Sequence, residues 1–226
     1  MKAQIALVFF LCITITAAWA QDDRGTGAWY MYFGNLRPAD SPFSLHGEIQ
    51  YRNHNMIGDL EQLLIRSGIQ YNLPDNSATF TLGYGYIGSE PVGDEDFRVN
   101  ENRIYQEALL RQGVSTVQLL HRFRYEQRFI DGQDFRTRFR YNLFINVPVT
   151  AKKFAKGGVY VALYNEIFIN GERLDNIPLF DRNRLYGAMG YKLRDNLGVQ
   201  LGYMSQMLNS RNQGQLQLSL HHNMTL

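Results

Sequence analysis

A chain of 226 residues that sets 23 Lys and Arg against 21 Asp and Glu has a formal charge of only +2, which excludes a partner held by bulk charge, nucleic acid included. A single cysteine, Cys12, excludes a disulfide framework and a thiolate-bound metal. Aromatic residues are 13% of the chain, nearly all of them Tyr and Phe, 14 of each.

The first element is a predicted secretory signal peptide over residues 1–20. Lys2 gives a positive start, 5–16 is an apolar run, and Ala18-Trp19-Ala20 is a cleavage signal before Gln21. Cys12 follows Leu11, not a small residue, which argues against lipid attachment. The remainder, 21–226, reads as one exported domain. None of its stretches approaches the roughly 18–20 apolar residues of a membrane helix. Any membrane crossing must therefore be made by strands.

Alternation with period two recurs along that domain. Segments 43–52, 61–73, 77–87, 103–111, 117–129, 134–147, 159–169, 182–193, 197–208 and 215–226 follow it, and "AWYMYFGNL" (28–36) is an eleventh candidate. In 134–147 one face reads Phe135, Thr137, Phe139, Tyr141, Leu143, Ile145, Val147; the other carries Asp134, Arg136, Arg138, Arg140, Asn142. In 117–129, Leu119, Phe123, Tyr125 and Phe129 oppose Arg122, Arg124, Glu126 and Arg128. Asp131-Gly132 between them is a hairpin signal. All six prolines fall between segments or at their ends, where a missing ladder donor does least harm. "YNLPDNSATFTLGYGY" (71–86) echoes "YKLRDNLGVQLGYMSQ" (191–206), which reads as a repeated hairpin. Short turns at 74–76, 113–115 and 194–196 contrast with longer polar loops at 53–60, 88–101 and 170–181.

The pattern predicts an all-β, antiparallel, transmembrane up-and-down barrel of 10 to 12 strands. A bacterial outer-membrane barrel with both ends in the periplasm has an even number, so ten or twelve is expected. Apolar side chains then face lipid and polar ones the lumen. Strand parity assigns the lumen Arg52, Arg66, Arg103, Arg111, Arg122, Arg124, Arg128, Arg136, Arg138, Arg140, Arg182, Arg184 and Lys192. The acids there are Glu48, Glu107, Glu126, Asp134 and Glu166. Thirteen cations against five acids predict either a structural filler of Arg–carboxylate and Arg–Tyr contacts or a narrow anion-preferring passage.

The segments "FSLHGEIQYR", "DLEQLLIRSGIQYNL", "RIYQEALLRQ", "VQLLHRFRYEQRF" and "FRTRFRYNL", in that order after Trp29, resemble the family called domain of unknown function 2490. The resemblance covers nearly the whole exported chain. It implies an outer-membrane barrel and carries over no activity.

Motifs of catalysis are weak. "GYGYIG" (83–88) matches a dinucleotide pattern, yet no helix follows it; inward glycines leaving room for Arg and Tyr are the expectation. His121, His222, Ser67 and Ser205 read as outward. A turn near 209–213 sets Val199 opposite His222, which puts Ser205 and His222 about six residues, roughly 20 Å, apart. Nucleophile and base need about 3 Å. His46 beside Glu48 reads as a lumen hydrogen bond. "SEPVGDEDF" (89–97) lacks the ordered spacing of a calcium loop. No metal and no cofactor is predicted. Expected partners are outer-membrane lipid and lipopolysaccharide, with small anions if the lumen is open. A lipid-modifying enzyme and a soluble lipocalin-like carrier are the competing readings.

Overall fold

The computed structural model describes residues 26–93, 98–172 and 178–226. The expected signal peptide, with Cys12, lies outside them, as does part of the acidic loop, 94–97. The strands are β1 (Gly27–Arg37), β2 (Phe43–Asn53), β3 (Leu60–Asn72), β4 (Ala78–Ser89), β5 (Val99–Val114) and β6 (Val117–Ile130), followed by β7 (Arg136–Pro148), β8 (Val159–Asn170), β9 (Phe180–Arg194), β10 (Leu197–Leu208) and β11 (Asn212–Thr225). Each grows out of one alternating segment. The echoed sequences form the β3–β4 and β9–β10 hairpins, which turn at the same end of the molecule.

The eleven strands close into a barrel in sequence order. The expectation of an even number is thus corrected. The segment at 28–36 does join the wall, and directions cannot alternate all the way round an odd ring. One neighbouring pair must run parallel: β1 and β11, in register from Gly27↔Gln215 to Arg37↔Thr225. Every other neighbour is antiparallel.

Two unlike rims result. One carries the connections 38–42, 73–77, 115–116, 149–158 and 195–196, and β11 ends there. The other carries 54–59, 90–98, 131–135, 171–179 and 209–211, and β1 starts there. Gly132, at φ 72°, makes the turn that Asp131-Gly132 signalled. In the 73–77 turn the Ser77 N–H and hydroxyl donate to the Asp75 carboxylate at 3.0 and 2.8 Å, holding its pKa below the ordinary aspartate value.

The wall is inverted relative to a water-soluble barrel. Ile69, Leu82, Phe139 and Leu201 point outward, each more than half exposed. Arg66, Arg103, Arg124, Arg138, Arg140, Glu48, Glu126 and Glu166 point inward and are buried. Outward Tyr30 and Tyr51 lie toward one rim, Tyr71 and Tyr191 toward the other. A smaller apolar cluster also sits inside, built from Trp29, Tyr160, Ala162, Tyr186, Ala188 and Met204. Phe154, from the 149–158 turn, folds down against it, its ring 5.5 Å from that of Tyr160. "GYGYIG" lies within β4, as expected of inward glycines. A Cβ on Gly83 would run into the Tyr105 ring, and one on Gly85 would sit 2.9 Å from Arg66 Cγ.

Candidate functional site: the charged lumen

Register explains why so many guanidiniums can share one interior. Glu48 faces Arg66 across β2 and β3, Glu107 faces Arg124 across β5 and β6, Glu126 faces Arg138 across β6 and β7, and Glu166 faces Arg184 across β8 and β9. Where arginines meet each other, as in Arg124↔Arg140 and Arg128↔Arg136, repulsion alone would open the sheet. Carboxylates from neighbouring strands relieve it.

The contacts of Glu101, Glu107, Glu126, Glu166 and Asp181 form one connected network, with the Glu48–Arg66 pair beside it. Glu126 accepts from Arg138 Nη2 and Arg140 Nη1, both at 2.6 Å, with Arg103 and Arg124 within 3.8 and 3.9 Å. Glu166 accepts from Arg140 at 2.6 Å and Arg122 at 2.8 Å, with Arg184 at 3.8 Å. Glu107 accepts from Arg124 Nη2 at 2.6 Å. Glu101 holds Arg103 and Arg128, each at 2.5 Å. Asp181 holds Arg138 at 2.8 Å and Arg182 at 3.1 Å. Glu48 is doubly bonded by Arg66 Nη1 at 3.1 Å and also accepts from Gln50 Nε2. Paired, multiply bonded geometry of this kind is what makes a buried charge tolerable.

Aromatic faces and amides hold the cations as well, Arg52 with no carboxylate within 4 Å among the described residues. Arg52 donates to Gln50 Oε1 and, at 2.6 Å, to Gln62 Oε1, and its guanidinium lies 3.8 Å from the centre of the Trp29 ring. Arg184 donates to Gln206 and approaches Trp29 from 5.0 Å. Phe168, buried in the lumen, is ringed by Arg138, Arg140, Arg182 and Arg184 at 4.4–5.9 Å. The negative face of an aromatic ring attracts each of them. Arg111, nearer a rim, donates to Thr79 and to the Asn76 carbonyl. The buried Nε of Arg136 has no hydrogen-bond partner among the described residues.

All twelve predicted arginines and Glu48, Glu107, Glu126 and Glu166 therefore lie on the inner face. One assignment is corrected. Asp134 is exposed on the turn before β7, because that strand starts only at Arg136. Lys192 keeps its inward direction near the rim: its Cδ lies 3.4 Å from the inward Cβ position of Gly198, and its backbone pairs with Gly157 and Gly158. Two inner acids escaped the sequence reading. Glu101 was two residues upstream of Arg103 in the same parity, and only the underestimated length of β5 hid it. Asp181 was hidden by a bulge. Phe168 pairs with Arg182 and Ile169 with Phe180, so Asp181 is an extra residue whose direction alternation does not give.

The family profile described as protein of unknown function, DUF2490, matches residues 26–217. The chain belongs to the DUF2490 family. The match runs from the residue before β1 into β11, so it spans the wall and the network described above. Comparison with curated proteins and with solved structures gives no match.

Histidine geometry in this DUF2490 barrel is specific, and among the described residues it brings together no complete catalytic set. His121 Nδ1 lies 2.9 Å from Tyr141 Oη, and His222 Nδ1 lies 3.2 Å from Tyr32 Oη. The β10–β11 register differs by two from expectation: Val199 faces Leu220 and Ser205 faces Gly214, which sets Ser205 still further from His222. The shift is even, so the faces are unchanged. His46 contacts Asn35 Oδ1 at 3.0 Å and Glu48 at 3.6 Å. An inward pair that the sequence reading did not weigh joins Ser219 Oγ to His221 Nε2 at 2.9 Å, with the imidazole stacked on Phe33. Ser219 is buried in packed side chains, so a substrate has no approach to its hydroxyl.

Proposed function

We propose that this DUF2490 protein is an integral barrel of the bacterial outer membrane whose lumen is closed by its own arginine–carboxylate network. Its role is structural, and its immediate partners are bilayer lipid and lipopolysaccharide. One observation carries the reading. Glu126, Arg138 and Arg124 are 1, 3 and 4% exposed inside a wall whose outer side chains are apolar. A passage for hydrated ions would leave such groups wet.

Supporting features agree with a bilayer. The strands, 11 to 16 residues long, exceed the roughly 9–11 that a tilted strand needs to span. A closed ladder leaves no unpaired backbone in hydrocarbon apart from the rims. The outward tyrosines near both rims suit interfacial girdles. A lipocalin-like carrier needs an apolar cavity, and the charged filling weighs against it.

Two measurements test the reading. Carbonate extraction of the envelope is expected to leave the protein in the membrane pellet, with heat-modifiable mobility on gels; release into the supernatant would sink the membrane assignment. In planar bilayers the purified protein is expected to pass no steady current. A steady anion-selective current would replace the closed barrel by the narrow anion-preferring pore.

A further inference from the structure

Each of the four lysines among the described residues lies at the rim where β11 ends: Lys152, Lys153 and Lys156 in the 149–158 turn, and Lys192 near the end of β9. Arg194 joins them. The opposite rim carries exposed Asp131, Asp134 and Glu172. Arg98 and Arg211 partly offset those acids, as Asp40, Asp75 and Asp195 partly offset the lysines, and the rim with the lysines keeps the positive excess.

The basic turn is held in place. Its N–H groups of Lys153, Ala155 and Gly158 bond to the carbonyls of Thr150, Lys152 and Ala155, and that of Gly157 bonds to the Lys192 carbonyl at 2.8 Å. Phe154 anchors it from below against Tyr160. Asp195, the nearest acid, accepts the backbone N–H of Lys156 at 2.8 Å and so stabilises the turn. Lys152, Lys153 and Lys156 are exposed, and none makes an ion pair among the described residues.

Below this patch the outer wall is apolar at once: Met189, Tyr191 and Leu193 on β9 are exposed, and Val161 lies beside Met189 on β8. A lysine placed at the edge of an apolar wall can lay its methylenes on that wall and put its ammonium among phosphates. An acidic protein docking end-on would have no use for the greasy flank. We propose that this rim is a docking surface for the anionic phospholipid headgroups of the leaflet it borders. The proposal rests on the membrane reading above.

Spin-labelled phosphatidylglycerol and phosphatidylcholine provide the test, each introduced into vesicles of equimolar phosphatidylcholine and phosphatidylglycerol that hold the refolded full chain. The wild type is expected to restrict the anionic label about fivefold more than the neutral one at low salt, and less at high salt. The variant Lys152→Gln/Lys153→Gln/Lys156→Gln should lose most of that preference, and the triple Lys→Arg variant should keep it. Heat-modifiable mobility confirms that each variant is folded. A protein that carbonate extracts from the vesicles overturns both the membrane reading and this one. An inserted barrel with no preference, or one whose preference survives in the Gln variant, overturns the docking surface alone.

Discussion

Glu126 shows how far a single residue can organise this interior. Two arginines bond it directly and two more lie within 4 Å. Its removal strands buried positive charge, and breaking such a group commonly costs about 3–5 kcal/mol. Glu126→Gln is therefore expected to lower unfolding stability by that order in urea titrations of the vesicle-bound protein. Gly83 illustrates a second constraint, since Tyr105 occupies the space a methyl would need. Gly83→Ala should destabilise by about 1–3 kcal/mol in the same assay, the usual cost of overpacking. Side-chain direction was legible from the sequence wherever alternation was unbroken, as for the run from Arg122 to Arg128. It was illegible at Asp181, where the β9 bulge breaks the parity that the reading depends on.

At the scale of elements, period two located each strand, while the ends moved by a few residues. The shift mattered at β5, whose start at Val99 brings Glu101 into the network. Pairing was legible for hairpins, which neighbour each other in sequence. Closure was not, because no local pattern tells β1 to run alongside β11. That junction can be checked directly. Met31 and Ser219 are register partners, and both side chains face inward. With a cysteine at each position, oxidation is expected to join β1 to β11, since paired strands bring Cα atoms within the 4.4–6.8 Å a disulfide requires. Recovery of only reduced protein from folded barrels would refute the parallel register.

For the whole molecule, alternation was silent about which face meets water, since a soluble barrel alternates equally well. The excess of Arg over Lys tipped the reading toward an inward charged face, and the buried guanidiniums agree with it. What composition could not reveal is how the positive surplus is accommodated. Parity counted acids and left a large excess; the structure meets it with the rings of Phe168 and Trp29 and with glutamines, as well as with Glu101 and Asp181. On the closed-barrel proposal, the central acids Glu126 and Glu166 also hold the lumen shut. Glu126→Gln combined with Glu166→Gln should loosen the ring of guanidiniums and turn a silent barrel into an anion-selective leak, read as a reversal potential in a salt gradient. Continued silence from a folded double variant would assign closure to packing instead.

The parallel seam imposes an order on assembly. Strands joined by a hairpin can zip together as soon as both are made, but Asn35 meets Asn223 across 188 positions of chain. No turn delivers one to the other. The ring is completed only when its first and last strands arrive side by side and point the same way, and until then two bare edges wait for a partner. Of all the joints in the wall, this one closes the longest stretch of chain and so carries the largest loop-closure cost.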